Sequence, residues 1–286
     1  MNYNQITVGI VTLKSDKVIF DCLNSIKKIK NIIIFDNSND KFLKKKINLI
    51  FPKIKIYLSK KNLGYGVANN RIIKSAKTPF VFILNPDVIL KKNCEENLLK
   101  TVKKLKQEFA IIAPTSKRIS YGFFNKKFFP KNNLFSVDYV GGFAMLINKV
   151  KVKTVGMFDK NIFLYYEEID LCKRLGLANQ KIYVDKKSKV EHLGAKSSNI
   201  GFEFEKCRNW HYMWSRVYFE KKYSFKFLIN VKYAYLLFPQ FLKIIFYSLL
   251  LNKEEVINKT MRLSGTFNAL IGRRSWFRPK LNTINK

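Results

Sequence analysis

The sequence predicts an α/β protein: a mixed, mostly parallel sheet flanked by helices, followed by a helical extension. Three observations predict it. Short apolar, β-branched runs alternate with helix-period segments through the first 115 residues. Acidic residues, scarce in this chain, recur where apolar runs end. From about residue 203 the texture changes to aromatics and lysine.

In chain order, 6–13 reads as a buried strand and 18–29 as a helix with Asp16 as its N-cap. Residues 31–35 form a second strand, ending in Asp36-Asn37-Ser38-Asn39-Asp40, and 53–58 a third. A helix over 66–76 follows, then a strand over 80–84 ending at Asn85-Pro86-Asp87. Residues 95–107 are helical, 109–113 a strand, and 116–138 a loop rich in Phe, Lys and Asn. A strand over 140–147 precedes an acidic cluster and helix within 158–175, a strand over 181–184, and a strand edge or loop over 190–198. Such alternation favours a sheet whose ligands bind beyond the carboxyl ends of its strands, where Asp36 and Asp87 both lie. The apolar stretch 233–251 is interrupted by Pro239, Gln240 and Lys243. It reads as part of an amphipathic helical pair on a bilayer surface, ahead of a helical layer packed on the domain or a true span.

The 286 residues carry 54 Lys+Arg against 20 Asp+Glu, a formal charge of +34. That charge suits anionic lipid or nucleic acid, but its even spread along the chain favours compositional drift. No nucleic-acid-binding signature accompanies it, so no nucleic-acid partner is expected. The four cysteines lack C-x-x-C spacing, which argues against a thiolate metal site or disulfide frame and suits a reducing compartment. No signal-peptide pattern opens the chain, and a cytoplasmic protein is expected.

The chemistry-bearing residues each admit two readings. Asp36 suits a base or ribose contact, or an Asx turn closing a βα loop. Asn62, Gly64, Gly66 and Asn69 frame a G-x-G entry into a helix, where backbone and helix dipole favour phosphate. The third glycine of a dinucleotide site is missing. Asp87 suits a hard cation such as Mg²⁺ or Mn²⁺, or a proline turn capped by Asp. Glu167, Glu168 and Asp170 follow the aromatic run Phe163-Leu164-Tyr165-Tyr166. Crowding and burial there would raise a carboxyl pKa, as a general base requires; the plain alternative is a helix start decorated with acids. Asp170 and Arg174 stand i, i+4 and can pair, leaving Glu168 or Glu167 to act. His192 follows the cluster by about one βα unit, as a second metal ligand or a structural residue.

Taken in order, these pieces resemble glycosyltransferase family 2, the inverting class with the GT-A Rossmann-like fold, and its rhamnosyltransferase-like branch. The matching text is Val8-Gly9-Ile10-Val11-Thr12, Ile34-Phe35-Asp36-Asn37-Ser38, Asn62-x-Gly64-x-Gly66-x-Ala68-Asn69 and Leu84-Asn85-Pro86-Asp87-Val88. It continues through 140–146, 155–159 and 163–174 to His192-x-Gly194-x-x-Ser197, and the 272–279 tail resembles the branch's end. The resemblance implies a catalytic domain over 1–202: a nucleotide-sugar half over 1–115 and an acceptor and base half over 136–202. Residues 203–286 would form a basic-aromatic membrane-association region.

It further implies that Thr12, Asp36, Asn62, Gly64, Gly66, Asn69, Arg71, Asn85, Asp87 and Gly142 bind the nucleotide sugar. Asp87 would hold Mg²⁺ or Mn²⁺ on the diphosphate with His192. Glu168 would be the base, with Glu167 its rival and Asp170 beside them. The implied partners are a dTDP- or UDP-linked sugar, with rhamnose favoured, a glycan or lipid-linked acceptor, and an anionic membrane surface on the inner face of the plasma membrane. Glu168 stands where the family commonly has Asp, Leu13-Lys14 where it has an aromatic and Asn, and Arg71 where glycine is frequent. A basic nucleic-acid binder and an inactive scaffold that keeps the fold are the competing readings.

Overall fold

The structure, a computed structural model, describes residues 2–117, 120–124, 131–194, 198 and 201–279. The chain divides into two compact units. One holds 1–159 and 168–199, the other 160–167 and 200–286. The eight residues ahead of Glu168 group with the C-terminal helices.

The first unit runs β1 (Ile6–Thr12), α1 (Ile19–Ser25), β2 (Asn31–Asp36), α2 (Lys41–Ile50), β3 (Lys55–Leu58) and α3 (Tyr65–Ser75). It continues through β4 (Phe80–Leu84), β5 (Val88–Leu90), α4 (Cys94–Lys104), β6 (Ile111–Thr115), β7 (Tyr121–Gly122), β8 (Leu134–Val137), β9 (Tyr139–Val140) and β10 (Ala144–Asn148). It closes with α5 (Lys149–Thr154), α6 (Glu167–Leu177) and β11 (Ile182–His192).

The main sheet has the order β3-β2-β1-β4-β10-β6-β11, with β8 also pairing β11 and β5 pairing its far end. Strands β3, β2, β1 and β4 are parallel, and β10 enters antiparallel between β4 and β6. β1 and β4 are buried along their whole length, which is why they read as unbroken apolar runs. Their side chains divide by the strand period of two. Phe80, Phe82 and Leu84 enter one core layer with Ile6, Ile10 and Leu98, while Val81 and Ile83 enter the other with Ile72, Met145 and Leu171.

Local departures from the sequence reading have identifiable causes. α1 is shorter than 18–29 because the Glu95 carboxylate accepts the backbone N–H groups of Lys27, Lys28 and Ile29. Asp16 is not its cap; the Ser15 carbonyl takes the N–H groups of Val18 and Ile19 instead. α2 was not expected, and Asp40 caps it through the Leu43 N–H at 2.9 Å. The expected 116–138 loop contains β7 and β8; its residues 118–119 and 125–130 lie outside the described ones. The two late strands are one, β11, continued across a register shift between Asp185 and Lys189. All four cysteines are buried free thiols.

The second unit is helical: α7 (Phe202–Tyr223), α8 (Lys226–Leu249) and α9 (Lys253–Leu270). Its core is Trp210, Met213, Trp214, Val217, Ile229, Tyr233 and Ala269. α9 approaches α7 at Gly265, where a Cβ would fall 2.2 Å from the Trp210 carbonyl oxygen. The 273–279 tail is bonded onto these helices: Trp214 Nε1 donates to the Arg273 carbonyl and Trp276 Nε1 to Asn268 Oδ1, each at 3.0 Å. His211 is buried, its Nε2 2.8 Å from the Phe277 carbonyl and its Nδ1 3.3 Å from Ser275 Oγ. α8 keeps Pro239 in its interior and exposes Phe227, Val231, Tyr235, Phe238, Phe241 and Leu249. Among the described residues no helix is long and apolar enough to cross a membrane.

Candidate active site

At the carboxyl end of β2, the buried Asp36 carboxylate accepts four hydrogen bonds from the chain itself. Thr12 Oγ1 and Ser38 Oγ donate at 2.8 Å, and the Ser38 and Asp40 N–H groups at 3.1 and 2.8 Å. These occupy the acceptor sites a carboxylate offers. The next residue, Asn37, ties this loop to the glycine loop. Its Oδ1 accepts the Leu63 N–H at 3.1 Å, and its Nδ2 donates to the Gly64 carbonyl at 3.3 Å. Asn62 Oδ1 accepts the Gly64 N–H at 2.9 Å. Gly64 has φ 82°, a left-handed conformation that favours glycine, and it opens α3. Gly66 and Asn69 are buried in that helix, and Asn69 Oδ1 has no hydrogen-bond partner among the described residues. Arg71 is exposed further along α3.

Asp87 follows β4 and is buried, and β5 pairs with the end of β11 so that His192 stands opposite Val88. That register puts His192 Nε2 3.5 Å from Asp87 Oδ2. The imidazole stacks on Phe143 at 4.4 Å, which fixes its plane. Asn85 Oδ1, two residues before Asp87, is a buried acceptor without a hydrogen-bond partner among the described residues. A carboxylate and an imidazole at this spacing are donors that Mn²⁺ or Mg²⁺ accepts. Ligand distances of about 2.1 Å allow two donors on one ion to lie up to about 4.2 Å apart, so the observed spacing fits. No group of three or more His, Cys, Asp or Glu side chains with metal-binding placement occurs among the described residues. Such an ion would take its remaining ligands from phosphate and water.

Glu168 lies in the first turn of α6 against Gly142, where a Cβ would stand 3.4 Å from the Glu168 carboxyl carbon. Burial raises its pKa above the ordinary carboxyl value, while N–H groups of Glu168, Gly142 and Ile169 pull the other way. Glu167 is buried. Asp170 forms the expected i, i+4 pair with Arg174, whose Nε donates to its Oδ2 at 2.8 Å. The same guanidinium donates to the Val155 and Met157 carbonyls, so the pair holds the chain ahead of the acidic cluster.

One short segment joins these pieces. The Gly142 carbonyl accepts from Tyr65 Oη at 2.5 Å, and Glu168 lies over Gly142. Next along, the Phe143 carbonyl accepts the Asn85 N–H at 2.8 Å, and the Phe143 ring carries His192. Thus α3, β4, β11 and α6 all meet at the entry to β10.

With this geometry in place, the family model described as glycosyl transferase family 2 matches residues 7–163, more than half of the chain. The chain belongs to glycosyl transferase family 2. This glycosyltransferase is 27% identical over 225 residues to rhamnosyltransferase WbbL of Escherichia coli (strain K12), covering 68% of the chain and 84% of the relative. It is 24% identical over 200 residues to the low-salt glycan biosynthesis hexosyltransferase Agl10 of Haloferax volcanii, covering 63% and 64%. Among solved structures it resembles a mannosyltransferase from Pyrobaculum calidifontis in complex with GDP-Man and Mn²⁺ (TM-score 0.57, 11% identity, 93% and 87% covered). It also resembles GalNAc-T7 with UDP, GalNAc and Mn²⁺ (0.56, 13%, 74% of this chain and 50% of that one). The fold is GT-A, a mixed α/β architecture with flanking helices, as the sequence predicted.

Of the expected site residues in this glycosyltransferase, Asp87 meets His192, Glu168 meets Gly142, Thr12 meets Asp36, and Asn62 meets Gly64. No described contact draws Arg71 toward them. Ser197 lies outside the described residues. Asn37, Tyr65 and Phe143 had no role in the sequence reading. The only signal for them was their place inside the matched motifs.

Proposed function

We propose that this glycosyltransferase is inverting and metal-dependent. It moves a sugar, rhamnose first among the candidates, from a dTDP- or UDP-linked donor to a glycan or lipid-linked acceptor. The setting is cell-surface glycan synthesis, on the inner face of an anionic membrane. One observation carries the reading: the Asp87–His192 pair and the raised-pKa Glu168 are both anchored to Gly142-Phe143.

In this reading the diphosphate lies at the Asp87 end of β4, with Asn85, Gly142 and the α3 entry (Asn62, Gly64, Gly66, Asn69) around the donor. Thr12 and Asp36 shape the nucleotide pocket, and a base contact by Asp36 would replace one of its internal bonds. Arg71 would need to swing inward from its exposed position to meet phosphate. Asp87 and His192 would hold the divalent ion. Such an ion supplies Lewis-acid charge stabilisation to the departing nucleoside diphosphate. Glu168 takes the proton from the acceptor hydroxyl as its oxygen bonds the anomeric carbon. The bond to the diphosphate breaks on the opposite face, which inverts the configuration. A carboxyl whose pKa lies above its ordinary value is better matched to this proton transfer at neutral pH.

The rhamnose preference draws on the WbbL relative. The metal draws on neighbours solved with Mn²⁺. The membrane surface draws on residues 221–253, which hold six lysines and no acid, beside the exposed apolar side chains of α8. The test is a donor panel scored by nucleoside diphosphate release with and without Mn²⁺. Mn²⁺-dependent release from dTDP-rhamnose above the other donors supports the reading, and release from no donor refutes it.

A further inference from the structure

Residues 141–143, at the entry to β10, are fixed peptide by peptide. The Gly141 N–H donates to the Ser120 carbonyl at 2.5 Å, and the Phe143 carbonyl accepts the Asn85 N–H at 2.8 Å. Between them, the Gly142 N–H donates to the Glu168 carboxyl, whose carbon lies 3.4 Å from where a Gly142 Cβ would stand. The Gly142 carbonyl accepts from Tyr65 Oη at 2.5 Å. Gly142 thus bonds Glu168 through its amide and Tyr65 through its carbonyl.

Tyr65 is itself firmly set. It is the first residue of α3, directly after Gly64. Gly64 is tied on both sides, its N–H to Asn62 Oδ1 at 2.9 Å and its carbonyl to Asn37 Nδ2 at 3.3 Å. The Tyr65 carbonyl accepts from Asn69 Nδ2 at 3.1 Å. Its ring is half-buried against the core layer that contains Ala68, Ile72 and Met145. One phenol therefore joins the glycine loop to the peptide beneath Glu168, 77 positions along the chain. All of these residues belong to one compact unit.

We propose that Tyr65 is a positioning residue for the base: its hydroxyl fixes the Gly142 peptide, and the Gly142 amide aims the Glu168 carboxyl. The inference rests on the transferase reading above. It adds to that reading a physical link, in which a single side chain holds the donor loop and the base in one frame. A reacting group keeps its productive geometry when its supports are themselves locked by packing and hydrogen bonds. Tyr65→Phe keeps the packed ring and removes only the tether, so Gly142 and the carboxyl it carries can drift.

The test uses the full chain and Mn²⁺-dependent nucleoside diphosphate release from the donor that the wild type turns over. It compares wild type, Tyr65→Phe, Glu168→Gln and the double variant. Urea unfolding followed by far-UV circular dichroism controls for folding, and calorimetry gives the donor Kd. Tyr65→Phe is expected to lower kcat about tenfold with donor Kd within about twofold of wild type, since a misplacement of about 1 Å can cost on the order of 10²-fold. In the Glu168→Gln background the same substitution should change kcat by less than about twofold, because a residue that acts through the base then has nothing to place. A tyrosine that only supports the fold would show the same loss in both backgrounds, and that result overturns the proposal. So does a wild-type kcat in Tyr65→Phe, or a parallel loss of kcat and donor affinity. Glu168→Gln at the wild-type rate, or a wild type silent with every donor, refutes the transferase reading instead, and this inference with it.

Discussion

Lowering the pH from 7 to 5 should destabilise the helical unit through one histidine. His211 is buried beneath the 273–279 tail, and burial pushes its pKa down from 6.5 to about 3, reinforced by the Arg278 charge against the Phe277 hydrogen bond. The neutral ring satisfies both neighbours: Nε2–H donates to the Phe277 carbonyl and Nδ1 accepts from Ser275 Oγ. The folded state therefore stays unprotonated while the unfolded chain binds a proton below about pH 6.5. Stability is full above that value and is lost as pH falls toward 3. Integrating the difference in proton binding gives about 2 kcal/mol lost between pH 7 and pH 5, and roughly 4 kcal/mol if carried to pH 3. All three tryptophans, Trp210, Trp214 and Trp276, lie in this unit, so tryptophan fluorescence in urea reports it alone. The comparison is with His211→Gln, which keeps an amide donor but cannot titrate. The wild type should lose about 2 kcal/mol more than the variant across that interval. Equal losses would refute the assignment of a neutral, buried His211.

Three further outcomes follow from the packing. Gly265→Ala puts a methyl 2.2 Å from the Trp210 carbonyl, so α9 must move off α7; the tryptophan-detected urea unfolding should show a loss of at least about 2 kcal/mol. Asp170→Asn leaves the Arg174 charge without its buried partner and should cost about 3–5 kcal/mol in urea unfolding followed by far-UV circular dichroism. Phe238→Asp with Phe241→Asp should abolish co-sedimentation with phosphatidylglycerol vesicles while nucleoside diphosphate release persists. Sedimentation equal to wild type would remove α8 as the membrane-facing element.

Legibility tracked how locally each feature is determined. β1 and β4 were legible because both faces are buried and their residues are uniformly apolar. α2 escaped notice because only Leu43 and Ile47 of its lysine-rich length are buried, too few to mark a period. β11 looked like two pieces because its middle is polar. There the Asp185 carboxylate accepts from Thr101, Ser188 and the Lys187 N–H, contacts that local pattern does not reveal. In the site, the i, i+4 pairing of Asp170 and Arg174 was legible from spacing alone. The approach of His192 to Asp87 depends on the β5–β11 register, for which the sequence offered only the spacing of His192 from the acidic cluster and the matched motif order. Phe143 was not legible as the support for His192, since 48 intervening positions say nothing of stacking. The saturation of Asp36 depends on a turn that turns its own amides inward.

The proposed mechanism requires a division of labour between Asp87 and Glu168. The direct measurement is donor binding and nucleoside diphosphate release, side by side, for wild type, Asp87→Ala and Glu168→Gln with Mn²⁺ present. Asp87→Ala should lose the Mn²⁺-dependent part of donor binding. Glu168→Gln should bind donor as wild type does while release falls by about 10²–10⁴-fold. Wild-type rates in both variants would contradict it.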